Sequence, residues 1–480
     1  MADPLWTGEE IGAILDMSPL LGESLKVTGV SIDSRTLQRG DLFVAVKGER
    51  TDGHEYVEAA ARNGAAGAIV SSNYPAPASA LSLPLLRVPD PLAALNMFGS
   101  AARARIEGPV IAVTGSVGKT GTKEMLRAAL SPLGNTHASE KSYNNLWGVP
   151  LSLARMPRPA RFGIFEIGMN HAGEITPLTK MVRPHIAIVT WVAPVHIEFF
   201  NSVAEIADAK AEIFEGLEPD GYAVLPLDNE HYDRLALRAR CLGRKIVSFG
   251  QDKEADAKLL SVTAGDDGLS AEADILGQRL VFQIRAHGVH LAANAIAALA
   301  AVKLAGGDVL AAAENLAGFD VPEGRGRRFS FDTPTGPVLL IDETYNANPA
   351  SMAAAIASLG ALSKSRYARR VAVLGDMLEL GHGGPQFHAG IKSAIDSNAI
   401  DLVFCAGPLM ANLYERLPTE QRGGYADSAE LLKRQLLDTI EGGDAVMIKG
   451  SLGSRMGPLA DALKSQFTAA TENKAGRNAA

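Results

Sequence analysis

Residues 113–120 read Val-Thr-Gly-Ser-Val-Gly-Lys-Thr and connect an apolar strand pattern to a helical pattern that begins near Thr120. Gly115 and Gly118 allow backbone N–H groups to turn toward an anion, and the helix N-terminus adds its positive dipole end. Lys119 can reach the β- and γ-phosphates of a nucleotide, and the Thr120 hydroxyl can bind Mg²⁺. Since the usual first glycine of such a loop is absent, this is a shortened phosphate loop. The alternative is a plain strand–helix turn with an incidental Gly-Lys-Thr.

Strand–loop–helix units repeat on both sides of this loop. From Gly108 the runs PVIAVTG, FGIFEIG and IAIVTWV each precede a helical pattern, and beyond Pro322 the runs VLLIDE, RVAVLGD, DLVFCAG and AVMIKG do the same. Strands that alternate with helices predict parallel, doubly wound sheets. The first hundred or so residues show shorter extended runs and an Ala-rich helical stretch, which indicates a small mixed α/β unit.

A chain of 480 residues is too long for a single hydrophobic core. We therefore predict an α/β protein of three domains: a small mixed α/β N-terminal domain, a central P-loop-type ATPase domain with a mostly parallel sheet, and a C-terminal Rossmann-like domain. The predicted limits are 1–88, 89–321 and 322–466, with a disordered tail at 467–480.

Composition excludes several classes of function. The chain is 47% hydrophobic and 21% charged, as folded domains are, and its net charge of −8 offers no basic surface for nucleic acid or anionic lipid. Cys241 and Cys405 form no CxxC pair, which argues against disulfides and cysteine-zinc sites and favours a reducing compartment. The N-terminus carries acids where a secretory signal carries basic residues, and the apolar stretch 291–305 is too short and polar to span a bilayer. We expect a cytoplasmic protein without membrane insertion.

Two further polar residues follow strand patterns of the central domain. Glu166 closes GIFEIG, and His196 comes shortly after IAIVTWV. Ligands of parallel sheets lie outside the carboxyl ends of the strands, so both side chains are expected to meet the phosphate loop in one cleft and to hold a second cation. Taken singly, Glu166 also suits a helix-capping acid, and His196 suits a surface histidine.

Lys210 lies on the amphipathic pattern SVAEIADAKAEIFEGL. Its spacing alone favours a solvated lysine that pairs with Glu205 or Glu212 on the same helix.

Ordered motifs along nearly the whole chain resemble the Mur ligase family. They include the loop TGSVGKT and nine further segments in family order: SYNNLWGVP, EIGMNHAGEI, HIEFF, AKAEIFEGL, GVHLAANAIAA, GRGRR, DETYNANPASM, LGDMLELG and KGSLGSRM. Val117 and Gly121 depart from the family, which often has Asn and Thr or Ser at these two positions.

The two ends of the chain indicate a branch of the family. SIDSRTLQRGDLFVAVKGERTDGHEYV at 31–57 resembles a UDP-binding domain, and DETYNANP resembles the branch that adds D-alanyl-D-alanine to UDP-N-acetylmuramoyl-tripeptide. The DYAH-type and DNPR-type sequences of the diaminopimelate-adding relatives are absent. The resemblance therefore implies a monomeric, ATP-dependent ligase of peptidoglycan synthesis that forms an acyl phosphate, with these two molecules as its substrates.

The resemblance also implies roles for individual residues. The expected catalytic residues are Lys119, Lys210, His196 and Glu166. Those expected to bind ATP are Gly115, Ser116, Gly118, Lys119, Thr120, Asn294, Arg325 and Asp342. Those expected to bind the other substrates are Ser34, Arg35, His54, Asn144, Asn145, Tyr345 and Asn346. The expected ligands of Mg²⁺, two ions in all, are Thr120, Glu166, His196 and a carbamylated Lys210, which replaces the solvated-lysine interpretation.

Three other functions compete with this one. The first is a different ligase of the same family, either the third-residue-adding enzyme or a folylpolyglutamate synthase, and the YNANP segment and the UDP-type N-terminal domain argue against both. The second is an ATPase that couples hydrolysis to motion or regulation, which needs no UDP-sugar domain. The third is an inactive binding protein, against which the joint presence of the five expected phosphate and metal residues argues.

Overall fold

The computed structural model describes residues 3–17, 25–48, 51–75, 83–140, 142–265 and 268–478, with side chains described up to residue 468. The N-terminal part contains a two-stranded antiparallel ribbon and a four-stranded parallel sheet of order β3-β4-β5-β6. Its elements are β1 (Trp6–Thr7), α1 (Gly8–Ile14), β2 (Lys26–Val27), β3 (Gly29–Ser31), β4 (Asp41–Val44), α2 (Val57–Arg62), β5 (Gly67–Ser71) and β6 (Leu85–Val88).

Helix α3 (Pro91–Arg105) connects this part to the central one. Asp90 caps it by accepting a hydrogen bond from the Leu92 backbone N–H, and Pro91 occupies the first turn, where no amide hydrogen is needed. The Ala-rich helical stretch expected in the first hundred residues corresponds to α2.

The central part is built on a nine-stranded sheet of order β15-β14-β13-β12-β11-β10-β7-β9-β8. All pairs are parallel except β13–β14 and β14–β15. Its strands are β7 (Val110–Thr114), β8 (Thr136–Ala138), β9 (Phe162–Glu166), β10 (Ile186–Val189), β11 (Tyr222–Pro226), β12 (Lys245–Gly250), β13 (Ala257–Gly265), β14 (Gly268–Ile275) and β15 (Gln278–Ile284). Its helices are α4 (Lys119–Leu130), α5 (Gly148–Ala154), α6 (Ile175–Val182), α7 (Val203–Ala211), α8 (Tyr232–Cys241), α9 (Val289–Leu304) and α10 (Val309–Asn315).

Both faces of this sheet are covered. On β7, Val110 and Ala112 belong to one core, which extends over α3 into the N-terminal part, whereas Ile111 and Val113 belong to a second core beneath α4 and α9. Side chains of a strand alternate between the two faces, so a strand buried on both sides is apolar throughout. This explains why the runs around the phosphate loop are continuous apolar stretches.

The C-terminal part has a six-stranded sheet of order β16-β17-β21-β18-β19-β20, in which β16–β17 alone is antiparallel. Its strands are β16 (Arg327–Thr333), β17 (Gly336–Glu343), β18 (Arg369–Gly375), β19 (Leu402–Ala406), β20 (Arg422–Ala426) and β21 (Asp444–Lys449). Its helices are α11 (Pro349–Gly360), α12 (Gly384–Ser397), α13 (Ala411–Tyr414), α14 (Ala429–Thr439) and α15 (Gly457–Asn478), and two cores cover the two faces of the sheet.

The predicted fold class is confirmed: an α/β chain with a mixed N-terminal unit, a mostly parallel central sheet and a second doubly wound sheet. The domain limits remain a prediction. The predicted disorder of the tail also remains a prediction; helix α15 runs to Asn478, and Phe467 is buried. Residues 479 and 480 lie outside the described part.

Candidate active site

The phosphate loop connects β7 to α4 at the carboxyl edge of the central sheet. Gly115 and Gly118 have φ of 150° and 85°, the region that favours glycine. A Cβ at Gly115 would lie 2.0 Å from the Thr190 hydroxyl, so the close approach also requires glycine. The Lys119 ammonium donates a 2.6 Å hydrogen bond to the Gly115 carbonyl and thus folds back over the loop.

The segment after β10 stabilises this loop through hydrogen bonds. The Ser116 hydroxyl donates to the Ala193 carbonyl at 2.9 Å and accepts from the Ala193 N–H at 3.0 Å. The Thr190 hydroxyl lies 2.5 Å from the Val117 carbonyl oxygen. Ser116, expected to bind ATP, therefore uses its side chain to fix the loop, while its role toward a nucleotide stays a prediction.

Glu166, at the end of β9, lies beside the first turn of α4. The Thr120 hydroxyl donates to Glu166 Oε2 at 2.8 Å, and the Asn144 amide donates to Oε1 at 2.7 Å. Glu166 is only 1% exposed, and α6 after it starts at Ile175 without a side-chain cap. The helix-capping alternative for Glu166 is therefore wrong. Asn145, also expected to bind substrate, accepts a hydrogen bond from the Gly148 N–H at the start of α5.

Lys210 is buried in α7, with 3% exposure. Glu205 and Glu212 are occupied elsewhere: Glu205 accepts hydrogen bonds from Asn201, and Glu212 accepts from the Gly173 and Thr176 backbones. The solvated-lysine interpretation is therefore wrong. Burial lowers the pKa of Lys210 well below its usual value, and the charge of Lys119 lowers it further.

Three effects act on the pKa of the Lys119 ammonium. Burial lowers this pKa, Glu166 opposes this change, and Arg325 adds to it. Glu166 and Arg325 thus influence the pKa of Lys119, and Lys119 in turn influences that of Lys210. Asn294 of α9 lies against the loop, because a Cβ at Gly118 would lie 2.9 Å from its amide nitrogen.

The C-terminal part approaches the cleft through Arg325 and the segment after β17. Arg325 donates to the Ser142 hydroxyl at 3.2 Å and lies 4.1 Å above the Tyr345 ring. The Ser142 hydroxyl is also 3.5 Å from that of Thr120. Ser142 was not singled out from the sequence, although it begins the SYNNLWGVP segment.

Asp342 and Asn346 bond mainly within the C-terminal part. Asp342 accepts from the Thr344 hydroxyl at 2.7 Å and from the Lys464 ammonium at 2.9 Å. The Asn346 carbonyl accepts from Lys449 at 2.9 Å. Nearby, a cavity of about 220 Å³ opens between the central and C-terminal parts. It is lined by Val195, His196, Tyr345, Asn346, Ala347, Asn348, Leu378, Glu379, Leu380, Ser451, Leu452 and Gly453.

His196 contacts the C-terminal part rather than Glu166. Its Nδ1 lies 2.5 Å from Glu379 Oε2, although the N–H direction is not aligned with that oxygen, and this contact lowers the pKa of Glu379. His196 is not a surface histidine, because its side chain is only 22% exposed and faces another domain. Glu379 was missed from the sequence, where only its LGDMLELG motif stood out.

The three residues expected to bind the UDP-sugar lie on loops of the N-terminal sheet. Ser34 is buried, and its carbonyl accepts from Asn63, whereas Arg35 is exposed and pairs with Asp33 at 2.7 Å. His54 Nε2 accepts from the Ser71 N–H at 3.0 Å, so its proton lies on Nδ1, which is 2.6 Å from Asp52.

Family models match three successive parts of the chain. They are the Mur ligase family catalytic domain at 26–101, the Mur ligase middle domain at 113–302 and the Mur ligase glutamate ligase domain at 327–452. The chain belongs to the Mur ligase family. Mur ligases are ATP-dependent enzymes that form amide bonds, so the predicted family and enzyme class are confirmed.

Relatives of this Mur ligase match it over almost its full length. UDP-N-acetylmuramoyl-tripeptide--D-alanyl-D-alanine ligase from Escherichia coli is 32% identical, over 94% of this chain and 96% of its own. The Bacillus subtilis ligase of the same name is 32% identical, over 90% and 92%. A crystal structure of MurF from Acinetobacter baumannii has a TM-score of 0.82 at 27% identity, and the match covers 96% of this chain and 99% of that one.

The donor set of this Mur ligase fits Mg²⁺, the ion that the family uses. Thr120 Oγ1 and Glu166 Oε2 are two oxygens 2.8 Å apart beside a phosphate loop. Mg²⁺ takes one or two carboxylates, waters and substrate phosphates. Among the described residues no group of three or more His, Cys, Asp and Glu side chains forms a metal cluster, so phosphates and waters would complete the shell. No helix in the described ranges is long and apolar enough to cross a membrane.

Proposed function

We propose that this Mur ligase joins D-alanyl-D-alanine to the terminal carboxylate of UDP-N-acetylmuramoyl-tripeptide, at the expense of ATP, in peptidoglycan synthesis. The assignment of these substrates rests on the match, at 32% identity over nearly the whole chain, with ligases whose names state this reaction. The chemistry rests on the cluster of Lys119, Thr120 and Glu166 at the carboxyl edge of the central sheet.

In the first step the peptide carboxylate attacks the γ-phosphorus of ATP and displaces ADP. Lys119, now folded onto Gly115, would exchange this carbonyl for phosphate oxygens and offset their growing negative charge. The glycines present backbone N–H groups to the same phosphates. Thr120 and Glu166 would hold Mg²⁺, which would supply further compensation of the phosphate charge.

In the second step the amine of D-alanyl-D-alanine attacks the carbonyl carbon of the acyl phosphate, and phosphate leaves. The cavity between His196 and the 345–348 segment is the place where we expect the dipeptide, because it borders both domains. Tyr345 and Asn346 line it, as expected for substrate-binding residues. Enclosure between two domains places the amine close to the acyl carbon and excludes water.

Lys210 is proposed to act as a carbamate. A buried amine with a lowered pKa is neutral more often than a free lysine, and the neutral amine is the form that takes up CO₂. The carbamate carries two oxygens suited to a second Mg²⁺ and replaces a buried cation beside Lys119 with an anion. His196 is proposed as the nitrogen ligand of the same ion.

The N-terminal domain is proposed to hold the UDP-sugar through the Ser34, Arg35 and His54 loops. Arg35 is exposed, and its guanidinium suits a diphosphate once it leaves Asp33. We also propose that the protein is a monomer and acts in the cytoplasm, where ATP and nucleotide sugars are available.

The test is phosphate release from MgATP, with UDP-N-acetylmuramoyl-tripeptide and D-alanyl-D-alanine supplied separately and together. We expect release only with both, and a product heavier by one dipeptide in mass spectrometry. Release with neither substrate would support a plain ATPase. A requirement for the sugar-peptide together with another amine would point to a different member of the family.

A further inference from the structure

The segment after β10 forms the contact between the central and C-terminal parts at His196. Besides the His196–Glu379 pair, Ile197 packs against the core of the central part and against one core of the C-terminal part. A Cβ at Gly381 would lie 3.5 Å from the Glu198 Cα, so the two backbones touch. His196 is thus carried by one domain and contacted by a carboxylate of another.

Both members of this pair have unusual backbone conformations. His196 has φ of 58° and Glu379 has φ of 61°, in the left-handed region that residues with a Cβ rarely adopt. Such conformations are unfavourable for residues with a Cβ and persist where the surroundings enforce them. The surroundings here are the two segments that meet at the interface.

The loop that carries Glu379 is fixed from three sides. The Asp376 carboxylate accepts from the Met410 N–H at 2.9 Å. The Met377 N–H donates to His388, and the Leu378 N–H donates to the Ser451 hydroxyl at 3.0 Å. Glu379 is therefore presented by a rigid turn, even though its side chain is about half exposed.

We propose that Glu379 is a positioning residue for His196 and that it acts only when the C-terminal domain rests on the central domain. The contact lies at Nδ1 of the ring, so Nε2 is the nitrogen that the proposal assigns to the metal. A ligating histidine commonly has its second nitrogen engaged by a carboxylate, which fixes tautomer and ring orientation. Domain closure would thereby complete the metal site. This proposal rests on the proposed function, in which His196 is a ligand.

The test compares Glu379→Ala and Glu379→Gln with Glu198→Gln. Glu198 lies in the same interface, is exposed and forms no ion pair within 4.0 Å in the described structure, so its change is a matched loss of charge. Phosphate release gives kcat, the KM for each substrate and the Mg²⁺ concentration for half-maximal rate. Mn²⁺ binding to the enzyme with a non-hydrolysable ATP analogue, followed by paramagnetic resonance, gives a readout independent of turnover.

We expect Glu379→Ala to lower kcat and weaken Mn²⁺ binding, together by about 10- to 100-fold, as for other residues that orient metal ligands. The KM for the UDP-sugar should stay the same, because that substrate binds to another domain. Glu379→Gln should recover most of the loss, since its amide oxygen keeps an acceptor of the same length beside Nδ1. Glu198→Gln should behave as the unchanged protein.

A double-mutant cycle separates orientation of His196 from a general role in the fold. Added to His196→Ala, the Glu379→Ala change should cost about two-fold or less, because the two residues act through one another. Equal losses with and without His196, or unchanged Mn²⁺ binding in Glu379→Ala, would overturn the proposal. Should Glu379→Ala not fold, Glu379→Met removes the acceptor at similar length and serves instead. If the unchanged protein does not form the sugar-peptide extended by D-alanyl-D-alanine, the proposed function itself is refuted.

Discussion

Lys210 is buried in α7, and burial together with the charge of Lys119 lowers the pKa of its ammonium. Its helix carries charges at positions that favour intrahelical pairing, and this pattern indicated a solvated side chain. In the structure Lys210 is buried, one turn after the buried Ile206. Residues four apart share a helix face, so the spacing from Ile206 was the available signal. Pairing rules describe isolated helices, and here tertiary burial decides the environment.

We expect Lys210→Ala to lower kcat about 100- to 1,000-fold, as when one group that stabilises transition-state charge is removed. Acetate or propionate should restore part of this activity, because a small carboxylate can replace the oxygens of the carbamate in the space left by the side chain. Phosphate release measured against the concentration of the added acid is the readout.

Lys180→Ala is the control for that experiment. Lys180 is an exposed lysine of the same domain, with 59% of its side chain accessible, and we expect no loss and no response to acetate. Full activity of Lys210→Ala without added acid would exclude the carbamate.

At the scale of single elements, the phosphate loop was predictable because its chemistry is local. A strand, two glycines, a lysine and a helix start are contiguous in sequence, and the structure has them as β7, the loop and α4. The neighbours of the loop were not predictable in the same way. Thr190 reaches it from the segment after β10 and Asn294 from α9; the local pattern predicts neither contact, and only the family resemblance indicated Asn294.

Gly118→Ala should raise the KM for ATP about ten-fold or more, because φ of 85° and the Asn294 amide at 2.9 Å together impose strain in the range of 1–3 kcal/mol. Gly121→Ala is the matched control in the same helix. It has nothing within 4 Å of its Cβ position and should keep the KM while stabilising α4 by about 1 kcal/mol. Similar KM values for the two variants would contradict the geometry of the loop.

Helix α12 gives the fold a predictable pH dependence. His388 is fully buried, its Nε2 accepts from the Met377 N–H, and burial lowers its pKa. The folded protein therefore binds this proton less readily than the unfolded chain. Stability is complete above the unfolded value of about 6.5 and falls as the pH drops below it, by at most about 1.4 kcal/mol per pH unit for one proton.

We expect the melting temperature of the protein to decrease when the pH is lowered from 7.5 to 5.5. The melting temperature of His388→Gln should decrease less steeply over this interval. Burial also lowers the pKa of His137 and His185, so part of the dependence should remain. His382→Gln, an exposed change in the turn before α12, serves as the control. Identical slopes for the two variants would show that His388 is not the group responsible.

For the whole molecule, the sequence predicted three α/β units because apolar runs buried on both faces are strong signals. The antiparallel additions escaped prediction. Strands β13 to β15 extend the central sheet, and their alternating side chains resemble surface segments more than core strands. The edge strand β20, Arg-Gly-Gly-Tyr-Ala, which pairs in parallel with β19, also escaped prediction, because it has too few apolar residues to be recognised.

Contacts between domains were beyond prediction for a different reason. The pairs Arg325–Ser142 and His196–Glu379 join residues far apart in the chain, and their meeting depends on how folded domains pack. The resemblance to Mur ligases supplied His196 and Arg325 as individual residues, whereas Ser142 and Glu379 came from the structure alone.

The central claim is that ATP activates the peptide carboxylate as an acyl phosphate. It is tested most directly by labelling the terminal carboxylate of UDP-N-acetylmuramoyl-tripeptide with ¹⁸O and analysing the released phosphate by mass spectrometry. The account predicts one labelled oxygen in each phosphate, because the oxygen that attacks phosphorus leaves with it when the amine attacks carbon. Phosphate without label, formed at the same rate as the sugar-peptide extended by D-alanyl-D-alanine, would contradict the account.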